Sequence, residues 1–370
     1  MVEMCDKDNL IDECLHIYKE INKHGFRFRA INRHLLSVVD LSGGKGLVET
    51  AEKIKEQLDE KDEVDIYNIR DALLEKYVDF LSYADKEVCI LKLSPSEASS
   101  LVTWFESNIA EGNPFSDSFP NLPQASEVSY DDYYSAKFFK SDNKCTLYFG
   151  SKRRVRERVD LHEKDLTQST RHRLAGLEKI AAYTLNDLLS IDVLSVDTND
   201  GTCEVRLTNA SNNNMTNFSK DEAFSTIYKK VRNAIGTRRV IEEKNFYPCI
   251  LPLYQDKHEE GTDRVTKFFF EADENGLKKE TKPYDKADLR DEKYHGSGSQ
   301  AINYDFRPYA IRKIWDIAGG AGGYQAGVEV AGSPRVLDSL SPKIDQIKIL
   351  GCYGNSDYRF IMSKILPYAI

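Results

Sequence analysis

The chain has no CxxC pair, no apolar run long enough to cross a membrane and no signature of the common hydrolases, and each absence removes a class of function. Its seven cysteines (Cys5, Cys14, Cys89, Cys145, Cys203, Cys249 and Cys352) are odd in number and scattered. That pattern argues against a disulfide framework and against a zinc knuckle, and it reads as buried, reduced thiols. The longest apolar runs, such as VCILKL, fall far below the roughly 20 residues a spanning helix needs, so no membrane partner is expected. The N-terminus MVEMCDKDNL is polar and acidic and lacks the basic start and apolar stretch of a secretory signal, so the expected location is cytoplasmic. Neither a G-x-S-x-G elbow nor an HExxH helix occurs, which excludes the commonest hydrolase and zincin signatures. The histidines His16, His24, His34, His162, His172, His258 and His295 are dispersed, and no motif calls for a cofactor.

What the chain does have is an uneven charge. Residues 1–135 carry 14 Lys and Arg against 27 Asp and Glu, a balance of −13, whereas the rest carries 37 against 33, or +4. Within the second part, SKRRVRERVD places Lys152, Arg153, Arg154, Arg156 and Arg158 inside seven positions. Clustered guanidinium groups repel one another unless an anion offsets them, so a phosphate-bearing partner is the expected ligand. The total of −9 excludes a generally basic coat for nucleic acid, but a local patch can act on an acidic body.

With 370 residues, 41% of them hydrophobic, the chain can bury two cores, and the expected fold class is α+β. The expected domains are an acidic N-terminal helical α/β domain over residues 1–128 and a larger mixed α+β domain with antiparallel hairpins over residues 129–370. The boundary falls in EGNPFSDSFPNLPQAS (111–126), which has no sustained period. Apolar residues spaced by three and four predict helices over 8–24 and 65–84; EVCILKL (87–93) reads as a buried strand, and SPSE behind it as a capping box. Further on, AKFFK and KCTLYFG read as paired strands and 165–189 as a long helix. A hairpin turns at Asn199–Asp200–Gly201, and a capped helix runs from Ser219 and stops at Gly236. A second hairpin turns at Asn275–Gly276, 280–304 reads as a mobile lid or linker, and the tail as a helix near Tyr309–Asp316, a glycine run (319–323), strands at VEV and QIKILG and a last helix near 356–365.

If 145–159 is one strand, Lys152, Arg154, Arg156 and Arg158 share a face, with same-face neighbours about 6.6 Å apart, a spacing able to track a phosphate chain. Phe138, Phe139, Tyr148 and Phe149 offer stacking faces to unpaired bases. Arg171, His172 and Arg173 lie nearby in sequence, and Lys229, Lys230, Arg232, Arg238 and Arg239 add a further basic segment. The opposing reading has the arginines paired with neighbouring acids or with the acidic domain, inside one chain or between two copies.

Two enzymatic alternatives leave traces. LLSVVDLSGGKGLVETAEKI (35–54) runs from apolar segment to glycine loop to helix, an arrangement able to hold a phosphate. Its SGGKG resembles the SGGxDS loop of the ATP-pyrophosphatase family, which implies nucleotide binding near Lys45, although Gly46 replaces the family's Asp and Leu47 its Ser. A metal-dependent nuclease would use an acid-x-Lys triplet, for which Glu242–Glu243–Lys244, Asp291–Glu292–Lys293 and Glu204-x-Arg206 are the matches. The leading expectation is a protein that binds nucleic acid through its basic residues, with backbone contacts and little sequence reading, compatible with microbial antiviral defence or another DNA transaction. The alternatives are the nuclease or nucleotide-using enzyme, and a subunit that binds a protein partner or itself through the acidic domain.

Overall fold

The computed structural model describes residues 7–23, 28, 32–109, 111–130, 132–161, 166–174, 180–208, 217–256, 262–272, 276–283, 288–301, 306–317 and 324–370. Helices begin where the chain supplies a cap and an apolar stripe. Helix α1 (Lys7–Lys23) buries Leu10, Cys14, Tyr18 and Ile21. Helix α2 is Leu47–Asp59, and α3 (Glu63–Tyr83) starts where the Asp62 side chain accepts the Asp65 N–H, then buries Ile66, Ile69, Leu73, Tyr77 and Phe80. Strand β1 (Lys86–Lys92) feeds α4 (Pro95–Asn108) through the capping box of Ser94 and Glu97, with Pro95 at the first helical position. A short helix, α5 (Pro114–Ser118), precedes the remaining strands.

Strands β2 (Tyr133–Lys140), β3 (Lys144–Leu161), β4 (Ile180–Asp197) and β5 (Thr202–Thr208) follow, with helix α6 (Gln168–Arg173) between β3 and β4. Then come α7 (Asn217–Ile235), β6 (Glu242–Glu243), α8 (Ile250–Gln255), β7 (Asp263–Ala272), β8 (Gly276–Thr281), α9 (Lys293–Ala301), β9 (Arg307–Ile317), β10 (Tyr324–Ala331), β11 (Ile347–Leu350) and α10 (Asn355–Ile365). The eleven strands form one sheet in the order β2-β3-β4-β5-β1-β11-β10-β9-β7-β8, with β6 beside β1, and every pairing is antiparallel. The fold is therefore α+β, with its first three helices N-terminal to the sheet. Strand β1 lies inside the sheet between β5 and β11, so the helical N-terminal part is joined to the rest by backbone hydrogen bonds.

Strand alternation sorts the side chains onto two faces. One face packs Tyr148, Ile191 and Val193 against α1 and α3, and Val88, Ile311, Val328 and Ile349 against α8 and α10. The other packs Cys89, Leu91, Leu147, Phe149 and Val205 against α4 and α7. Beyond α7 this second face carries a charged row across matched registers: Glu87, Lys348, Glu329, Arg312 and Lys267. Glu329 there accepts from Lys267 Nζ at 2.7 Å and from Arg312 Nε at 2.7 Å.

The hairpin at 199–201 is present, and Gly201 takes the positive φ of 75° that its turn needs. Three expectations are overturned. The helix over 165–189 is a short α6 followed by β4: Leu185, Leu188 and Leu189 are spaced for a helix, yet eighteen consecutive pairings with β3 supply the ladder hydrogen bonds that win. The helix near Tyr309–Asp316 is strand β9, whose near-continuous apolar run is buried on both faces between β10 and β7. Within 280–304 the HGSGSQ is no bare linker: it lies in α9, pinned where buried His295 meets Tyr254 Oη at 2.7 Å through Nε2 and Glu280 through Nδ1, while 284–287 and 302–304 lie outside the described residues. Helix α7 begins at Asn217, two residues before the expected cap Ser219, and stops before Gly236, at φ 110°. The Ser219 side chain, the glycine run 319–323 and the turn residue Asn275 lie outside the described residues.

Candidate nucleic-acid interface

Strands β3 and β4 are eighteen residues each, and their neighbours are shorter. Pairing of β2 on β3 ends at Ser151, and pairing of β5 on β4 spans only Val193–Val196. Residues 152–161 and 180–189 therefore pair only with each other among the described residues, from Lys152↔Leu189 to Leu161↔Ile180. The result is a two-stranded arm that leaves the sheet, about 33 Å long at 3.3 Å per residue. The segment joining its strands carries α6, so Arg171, His172 and Arg173, all exposed, sit at the tip by chain connectivity.

The arm's root is held by buried polar groups. Asp192, with no exposure, accepts the Thr208 N–H at 2.8 Å and is also bonded by the Tyr133 hydroxyl and the Arg153 guanidinium. Arg153 donates to the Tyr133 hydroxyl at 3.0 Å, and the Ser151 and Ser190 hydroxyls meet at 3.0 Å. Burial works against the Arg153 charge, but Asp192 and then Tyr133 hold its pKa above the usual range. Across the sheet, Lys86 donates to the Ile191 carbonyl at 3.1 Å and the Thr208 hydroxyl at 2.9 Å. Burial drives its pKa down to about 7, Asp192 opposing and Arg206 and Arg153 adding to the fall.

Alternation divides the basic run. Arg153 turns inward and is 5% exposed, so it cannot contact a ligand in this arrangement. Lys152 and Arg154 point to the opposite face, where both lie over the Tyr130 ring, at 4.4 and 4.3 Å from its centroid. Lys152 is largely neutralised: its Nζ is 3.0 Å from Asp187 and donates to the Ala125 carbonyl at 2.8 Å. The Tyr130 hydroxyl also donates to Asp187, and these two contacts, hydroxyl first, hold the Asp187 carboxyl below its usual pKa. Arg154 is exposed. Arg156 and Arg158 occupy register positions opposite Leu185 and Tyr183, and their side chains lie outside the described residues. Leu185 and Tyr183 are 61% and 64% exposed and share the parity of Asp187, hence the face of Arg154.

The third basic segment lies elsewhere. Helix α7 packs on the sheet face opposite Lys152 and Arg154, with Lys230 Nζ 5.8 Å from the Phe149 ring and its pKa lowered by burial. Arg232 stacks on Tyr228 at 4.9 Å, and Arg239 lies 3.5 Å from Glu97. Lys229, Arg238 and Arg239 are exposed, but on the α7 side. The basic segments thus form an arm-and-tip group and a separate α7 group. Of the four aromatics, Tyr148 and Phe149 are core, Phe138 packs at the edge of the core under α4 and α7, and Phe139 alone is well exposed.

The enzymatic traces are occupied by structural contacts. In the glycine loop, the amides of Ser42, Gly44 and Lys45 donate to Gln57, Thr50 and Glu49, so three of the loop's donors are taken and a carboxylate stands beside them. Glu204 pairs with Arg206 at 3.0 Å and accepts from the Tyr358 hydroxyl at 2.9 Å, and Glu243 pairs with Lys343 at 2.6 Å. Among the described residues, no three His, Cys, Asp or Glu side chains converge as a metal shell. A cleft of about 440 Å³ beside α7 is lined by Glu87, Asp221, Glu329, Lys343, Asp345 and Lys348, of which Glu329 and Lys343 already have ion-pair partners.

Asp187, Asp192, Tyr130, Tyr133 and Lys86 are absent from the sequence-based site. The signal for the first two was the period-two pattern of β4, hidden by its leucines. Among the described residues no helix is long and apolar enough to cross a membrane. Comparison with models of known protein families gives no match, and comparison with curated proteins gives none.

Proposed function

We propose that the protein binds nucleic acid through the β3–β4 arm and its tip, contacting chiefly the phosphate backbone. The observation that carries this reading is the geometry: a ribbon free of the sheet with Arg154 exposed on one face and Arg171 and Arg173 at its tip. Arg156 and Arg158 continue the same parity along the ribbon. A cationic ribbon on an acidic body meets a polyanion with the arm first, because the body repels it. Lys152 and Arg153, each ion-paired, belong to the arm's support.

The test is the salt dependence of binding, measured by fluorescence anisotropy with full-length protein. If Arg154, Arg156, Arg158, Arg171 and Arg173 each take one phosphate, log K against log salt falls with a slope of about −4 to −5 on duplex. Arg154→Glu, Arg156→Glu and Arg158→Glu together lower the affinity at least roughly tenfold and flatten the slope by about 2 to 3. Unchanged affinity and slope in that variant, with the fold intact by circular dichroism, refute the assignment.

A further inference from the structure

We propose that the preferred ligand is duplex DNA, and that the arm lies in its major groove with Leu185 and Tyr183 facing the base edges. This rests on the nucleic-acid reading above and adds to it the class of ligand and the contact residues.

The dimensions come first. Beyond its anchored root the arm (154–161 with 180–187) is about 26 Å long, some three-quarters of a helical turn of duplex at about 34 Å, and a two-stranded ribbon is one of the elements that the ~12 Å major groove admits. The major groove of A-form RNA is too narrow and deep for the same insertion. The surface comes second. Leu185 and Tyr183 stand 61% and 64% exposed on the Arg154 face, two large side chains open to a ligand. An isolated two-stranded ribbon is marginal in water, so a partner that covers this pair also stabilises the arm. The pair lies on β4, directly across from the register positions of Arg156 and Arg158 on β3, so one face offers apolar positions along one strand and cationic positions along the other, the first toward the base edges and the second toward one phosphate wall of the groove. Apolar side chains there meet the C5-methyl groups of thymine. Single strands are the weaker fit, because binding them needs a row of free aromatic faces, whereas Tyr130 is already covered by Lys152 and Arg154 and Phe139 lies on β2 away from the arm, leaving Tyr183 alone on the ribbon.

The experiment compares full-length protein on a mixed-sequence DNA duplex, the same duplex with uracil replacing every thymine, the corresponding RNA duplex, and the single DNA strand. Expected is at least roughly tenfold preference for the DNA duplex over the RNA duplex and the single strand, and a severalfold loss on the uracil duplex. Leu185→Ala with Tyr183→Ala removes that uracil sensitivity and weakens duplex binding, with single-strand affinity and melting temperature unchanged. Equal affinity for all four, while the arginine reversals still lower the affinity and flatten the salt slope, overturns this inference and leaves the backbone reading standing. Absence of binding to any of them overturns both. A dimer in sedimentation that Leu185→Ala with Tyr183→Ala dissolves assigns the apolar pair to a second copy and overturns the groove assignment.

Discussion

Lys86 offers a test of the buried network at the arm's root that is independent of any ligand. Lys86 is 1% exposed, and its pKa in the fold is about 7, against an ordinary value of 10.5. Between those values the unfolded chain holds a proton that the folded chain has released, so stability rises with pH across the window. The penalty is complete below about pH 7, where both states are protonated, and vanishes above about pH 10.5, where neither is. The two values give a cost of roughly 4 kcal/mol at pH 7 and about 2 kcal/mol at pH 9. Lys86→Met removes the titrating group at similar length and forfeits hydrogen bonds to Ile191 and Thr208, a loss that does not depend on pH. The stability of the variant relative to the parent therefore falls by about 2 kcal/mol between pH 7 and pH 9. Urea unfolding at the two pH values reads this directly, and cysteines and tyrosines that titrate in both proteins cancel in the difference. Parallel pH profiles would refute the argument, because they would mean that burial leaves the Lys86 proton where water holds it.

Two more outcomes follow from the packing. Asp192→Asn removes the only carboxylate bonded to the buried Arg153 among the described residues, and the uncompensated charge is expected to cost about 3–5 kcal/mol by urea titration. Gly150→Ala places a Cβ 2.0 Å from the Phe115 ring, inside a closed core, so α5 has to shift, lowering stability by about 1–3 kcal/mol, measured as a fall in melting temperature.

Local chemistry made some of this fold legible in the sequence. Ser94-Pro95-x-Glu97 predicts its capping box because the four residues complete the contact themselves, and Gly201 marks its turn because its conformation is costly for any other residue. The failures occur where tertiary pairing decides. The residues of β4 satisfy the three-and-four spacing of a helix and the alternation of a strand equally, and only the presence of β3 alongside selects the strand. In β9, burial on both faces erases the alternation altogether. The basic run is visible as composition, and alternation already sets Lys152, Arg154, Arg156 and Arg158 on one face; what the run does not announce is that Arg153 is buried. Residue 153 follows the parity of Leu147 and Phe149, already read as apolar, and that parity is enough to turn Arg153 toward the core.

That division also explains how one short segment can carry so much positive charge in an acidic chain. Had all five cations faced solvent together, their repulsion would oppose the strand that presents them. Instead Arg153 is spent on Asp192 and Lys152 on Asp187, both from the partner strand, so two of the five lock β3 to β4 where the ribbon leaves the sheet. The anchoring Lys152 and Arg153 directly precede the exposed Arg154 on the same strand, so the residues that fix the arm's root also set the direction of the face it offers. The acidic helices pack on that same face of the sheet, through Tyr148, Ile191 and Val193 at the arm's root. Under the proposed function, a polyanion approaching this side would be repelled by the body and attracted by the ribbon, which would confine contact to the arm. Such confinement would limit the phosphates engaged to the few that the arm can reach, whereas a protein that wrapped its ligand would release many more counterions on binding.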